Sequence, residues 1–169
     1  MKRISIAATL VLVLFAMSAM PASVMASDNF VASLSGGQEV PPRDTNAAGV
    51  ATFKFNKDGT AFDYKLIAAN IENVFAAHIH CAPAGVNGPI GVTLFIGSPA
   101  SGRFDGVLAG ATVTAPNAGN TCGWETVADV LAAIESGNTY VNVHTNDGID
   151  PPNTGAGDFP GGELRGQVH

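Results

Sequence analysis

From residue 30 onward, apolar and polar positions alternate in short runs that glycine punctuates. "FVASLSG" (30–36) has the two-residue period of a strand with one face buried. "GVATFKFNKDGTAFDYKLIAAN" (49–70) predicts a hairpin: Val50, Thr52 and Lys54 oppose Ala51, Phe53 and Phe55, and Asp58-Gly59 marks the turn. Further strands are expected at 74–80, 90–97, 102–110, 139–145 and 162–169. One segment has a different period. In "TVADVLAAIESGN" (126–138), Val127, Val130, Leu131 and Ile134 recur at helical spacing, with Thr126 placed to cap the start and Gly137 to end it. Seven or eight short strands with one short helix predict an all-β fold, an antiparallel Greek-key-like sandwich or flattened barrel. The core is expected to hold Val50 or Ala51, with Phe53, Phe55, Leu66, Ile79, Leu94, Val141 and Val143. The stretch 146–162, rich in Gly, Pro and Asp, is expected to be a loop too polar to pack.

The first residues follow none of this pattern. Lys2 and Arg3 precede an uncharged apolar run from Ile4 to Met20, then Pro21 and small residues up to Ala26. That order predicts a secretory signal over 1–26, followed by one domain over 27–169; the alternative is an uncleaved anchor, since the apolar run approaches spanning length. The 143 residues that remain suffice for one core. They carry 6 basic and 14 acidic residues, a balance that disfavours phosphate backbones and anionic lipid surfaces. The expected partner is therefore an extracytoplasmic protein or a small ligand, with no nucleic acid and no membrane span after cleavage. The expected location is secreted or periplasmic. An exported chain with two cysteines, Cys81 and Cys122, predicts a disulfide between them. The competing reading makes Cys81 a thiolate ligand beside His80.

The polar positions of two strands carry the candidate chemistry. In "AAHIHC" (76–81), Ala77, Ile79 and Cys81 share one side and His78 and His80 the other. In "YVNVHT" (140–145), Val141 and Val143 form the apolar side, and Tyr140, Asn142 and His144 face away from it. If the two strands are neighbours, His78, His80 and His144 converge, and three neutral imidazoles suit copper or zinc. The alternative is a polar ladder in which these histidines bond cross-strand partners such as Asn142 and Thr145. A blue-copper arrangement is disfavoured, because no methionine lies beyond residue 25 and Cys81 has a disulfide partner available. His169, at the chain end, is expected to fray. Asp147, Asp150 and Asp158 lack the spacing of a calcium loop, and Glu39 and Asp63 are single acids with no partner carboxylate for hydrolysis. No serine sits in a nucleophile elbow, and no glycine-rich stretch has a phosphate-binding frame.

The order "LSGGQEVPP", "AAHIH" with "NGPIGVTLF", "YVNVHT" and "GGELRGQV" resembles the CHRD family, the domain first named in chordin, from about Phe30 to Val168. The resemblance implies an extracytoplasmic β-sandwich-like module with no one defined activity, and the reading adopted for this chain is a binding or interaction module. Two departures stand out: Cys81 occupies a position where glycine commonly follows the HIH, and the loop between His144 and Glu163 is long. The layout is also similar in order to copper-zinc superoxide dismutases. By that similarity His78, His80 and His144 would match copper ligands, and Arg165 the arginine that draws in the anion, which implies a copper-dependent oxidoreductase as the second reading. The bridging histidine and the zinc-ligand loop of those enzymes have no counterpart here.

Overall fold

A computed structural model describes residues 29–149, 151, 153 and 155–169. The expected signal (1–26) and Asp150 lie outside the described residues. Eight strands form one antiparallel sheet: β1 (Asn29–Ser35), β2 (Ala48–Phe55), β3 (Phe62–Glu72), β4 (Val74–Cys81), β5 (Ile90–Ile96), β6 (Arg103–Val113), β7 (Thr139–Thr145) and β8 (Leu164–Gln167). Their spatial order is β5-β4-β7-β8-β1-β2-β3-β6. A short 3-10 turn, Gly36–Gln38, follows β1, and one helix, α1 (Val127–Glu135), precedes β7.

Chain connectivity shows that the sheet curls back on itself. β3 and β4 stand five places apart in the sheet, yet the single residue Asn73 joins them. Asn73 takes a left-handed φ of 55°, a region that asparagine tolerates better than most residues. Its side chain donates to Gly157 O and accepts from Gly102 N, which fixes the corner. β5 and β6 are the two edges, and only residues 97–102 separate them in sequence. A connection that short requires the edges to approach each other, and the two strands do touch. The result is the flattened, nearly closed barrel that the strand pattern predicts.

Alternation decides what fills it. Ala51, Phe53 and Phe55 point inward with Phe62, Tyr64 and Leu66 of the paired strand, while Val50 lies on the outer face. Phe53, Phe55 and Phe62 pack ring against ring, and Tyr64 donates its hydroxyl across the interior to Leu94 O. Ile79, Leu94, Val141 and Val143 complete the expected core. The helix forms where its period predicts. Thr126 and Asp129 make a reciprocal capping box, and Val127, Val130 and Ile134 are buried. Before it, Trp124 lies directly against Gly91, where any Cβ would enter the indole ring.

Two expectations need correction. The end of the 146–162 loop packs well: Gly157, Asp158 and Gly162 are buried and Phe159 is half-buried under the Arg43 guanidinium. Its polarity is no obstacle, because its backbone groups find partners in Thr145 and Glu163. His169 does not fray. Its backbone exchanges two hydrogen bonds with Val31 of β1.

A three-histidine cluster under a polar lid

The β4–β7 register sets His80 opposite Tyr140, His78 opposite Asn142, and Ala76 opposite His144. A bulge at Phe75 leaves Val74 pointing inward while Ala76, His78 and His80 all face out. The three predicted histidines therefore share one face of two adjacent strands. One ring nitrogen of each lies within 4.8 Å of those of the other two. Ring centroids are 5.0 Å apart for His78 and His144, 5.6 Å for His78 and His80, and 5.8 Å for His80 and His144.

This outer face is covered by polar structure. Every residue of β7 is buried, including Tyr140, Asn142 and His144. Residues 82–89 fold over it from one side, held by Arg165, which donates to Pro83 O, Val86 O and Asn87 Oδ1. The segment after β1 closes in through Glu39, which accepts from Asn142 Nδ2, and Asn87 donates to Val40 O. Glu163 ties the third side, accepting from Thr45, Thr145 and the Gly157 amide. Burial pushes the Glu39 carboxyl above its ordinary range, against the hydrogen bond from Asn142 and the nearby Arg165 charge.

Within this lid the imidazole protons have defined places. His80 Nδ1 lies 2.9 Å from Gly88 O, and His144 Nδ1 lies 2.9 Å from Pro160 O. A carbonyl only accepts, so both Nδ1 atoms carry the proton and both Nε2 atoms present a lone pair. Those two Nε2 atoms, with His78 Nδ1, are buried and without a hydrogen-bond partner. Burial holds His144 and His78 down to about 4, reinforced by the neighbouring imidazoles, and it lowers His80 as well. All three rings are neutral at pH 7. The cluster can accept a cation, and its carbonyl-anchored rings have the backing that metal-binding histidines ordinarily have.

The cross-strand ladder is not what the chain builds. Asn142 is spent on Glu39 and Leu164 O, and Thr145 on Glu163. Cys81 is joined to Cys122, with Cα atoms 5.8 Å apart, which removes it as a thiolate ligand. Arg165 is 2% exposed, and its guanidinium sits 3.5 Å over the Tyr140 ring. Tyr140 in turn stacks on His80, centroids 4.9 Å apart and planes within 13°. Since β7 lies between β4 and β8, that tyrosine separates the arginine from the histidine. Tyr140 shares the phase of His144 and could be found in sequence. The Gly88 and Pro160 carbonyls carry no side-chain signal and could not.

No helix among the described residues is long and apolar enough to cross a membrane. No curated protein and no solved structure gives a significant match. The CHRD domain model matches residues 30–168, which takes in all three histidines and, but for Asn29, the eight strands described above. The chain belongs to the CHRD family.

Proposed function

We propose that this protein is an exported CHRD module that binds one transition-metal ion, copper or zinc, through His78, His80 and His144. One observation carries the reading: each of the three rings has a buried nitrogen without a partner, one nitrogen of each ring lies within 4.8 Å of those of the other two, and the opposite nitrogens of His80 and His144 are tied to backbone carbonyls. Burying such atoms unpaired costs about 1–3 kcal/mol each, a penalty that a bound cation removes. A Zn–N or Cu–N bond near 2.0–2.1 Å needs the nitrogens somewhat closer than their outer limit of 4.8 Å, a movement within the reach of side-chain torsions. Export to the periplasm or beyond, after loss of residues 1–26, fits the Cys81–Cys122 disulfide, since oxidising compartments preserve such bridges. The partner served by the module is an extracytoplasmic protein or small ligand.

Metal analysis of the native exported chain, purified without a histidine tag, tests the reading. One equivalent of copper or zinc is expected, with most of it lost on His80→Ala and none on His169→Ala. Metal-free protein would overturn it. The oxidoreductase reading rests on the superoxide-dismutase-like order of the three histidines, which the fold brings onto one face. It requires turnover of superoxide or a related small oxidant by the copper-loaded protein. Copper without turnover leaves the binding module.

A further inference from the structure

Building on the three-histidine reading, we infer that the site is made for monovalent copper in preference to a divalent ion. Among the described residues the donor group consists of three imidazoles, with no carboxylate in it, and the one nearby sulfur is locked in the disulfide. Every donor is neutral, so nothing in the group offsets the charge of the ion. Two of the three rings are buried, and the cost of desolvating an ion grows with the square of its charge. A dication therefore costs about four times what a monocation does in the same surroundings.

A fixed cation adds to this. Arg165, Tyr140 and His80 form a continuous stack, with the guanidinium 3.5 Å over the phenol ring and the imidazole 4.9 Å from it on the neighbouring strand. Arg165 is 2% exposed, so water screens its charge poorly. The buried carboxylates of the lid are engaged elsewhere: Glu39 accepts from Asn142, and Glu163 accepts from Thr45, Thr145 and the Gly157 amide. An ion held by His80 thus meets a positive neighbour one ring away, and the second charge of Zn(II) or Cu(II) is the one repelled most. Three nitrogen donors complete a trigonal Cu(I) site, whereas zinc held by three histidines needs a fourth ligand such as water, which must then be brought under the lid.

The test is an anaerobic titration of the untagged exported chain with Cu(I) against bathocuproine disulfonate, run beside Zn(II) and Cu(II) titrations against chelators of matched strength. One Cu(I) per chain is expected, bound at least 100-fold more tightly than Zn(II), with loss on His144→Ala. The midpoint potential of the bound copper should lie above that of copper in the same buffer. Arg165→Met should narrow the Cu(I)-to-Zn(II) ratio about tenfold while Arg165→Lys keeps it. If Arg165→Met does not fold, the midpoint potential of the unmodified protein decides. Zn(II) bound as tightly as Cu(I), or a potential at or below that of free copper, overturns the preference and leaves the three-histidine site standing. No binding of any of the three ions overturns both.

Discussion

His80 and His144 each give one ring nitrogen to a backbone carbonyl, and that bond settles which nitrogen remains for an ion. Protonating any of the three rings must add a charge inside the lid, and burial holds His78 and His144 down to about 4 and lowers His80 as well. The sign of the pH effect follows. Between about 6.5 and 4 the unfolded chain binds protons that the folded chain refuses, so stability is complete above 6.5 and is lost as pH falls toward 4. Glu39, raised by burial, works in the opposite direction. Thermal melts of chelator-treated protein should show the melting temperature dropping across that window, and His144→Asn should flatten the slope. An unchanged slope would mean that His144 takes up its proton as readily in the folded chain as in the unfolded one. Gly162 sits in the same network with φ +121°, and an added Cβ there would strike Asn142 Oδ1 and Glu39 Oε1. Gly162→Ala should lower the urea midpoint. Side-chain identity and strand phase made the histidines visible in sequence. The acceptors that orient them are main-chain atoms brought in by loops, and no residue letter marks those.

At the scale of elements, β7 explains why one strand can serve both core and site. Val141 and Val143 are fully buried in the barrel, and Tyr140, Asn142 and His144 are buried on the other side beneath the lid. Alternation in "YVNVHT" correctly separated the two faces. It gave no sign that the polar face is also covered, because polar residues look alike whether water or a buried network satisfies them. The end of the 146–162 loop packs against expectation for the same reason: Gly157 and Phe159 satisfy their amides on the side chains of Glu163 and Thr145, which alternation does not pair with them. Val143→Ala should cost on the order of 1–3 kcal/mol, read as a shift in denaturation midpoint, since it leaves a cavity in the core. It should also weaken metal binding modestly by loosening the strand that carries His144. The helix is legible in its period and its Thr126 cap, both local, whereas the reciprocal bond to Asp129 is added by the structure.

For the whole molecule, closure depends on short connections between strands that are far apart in the sheet, through Asn73 and through residues 97–102. Strand count and composition indicated a sandwich or flattened barrel, but strand order is a long-range property that alternation does not encode. The Cys81–Cys122 bridge spans 41 residues and pins the end of β4 to the segment before α1. Chain-entropy reasoning assigns it about 4 kcal/mol. Replacing both cysteines by alanine should lower the unfolding free energy by about that amount and reduce metal affinity, because Cys81 adjoins His80. Full affinity in that double variant would show that the lid alone orients the ring. The burial of β7 on both faces has a kinetic consequence. Its amides are bonded to β4 and β8 and sealed from solvent above and below, so they should be the last to exchange with deuterium, at rates set by global opening. His144 would then ride on the slowest-opening backbone in the chain. Capture and release of an ion would be timed by the 82–89 and 155–163 loops, whose amides should exchange orders of magnitude sooner.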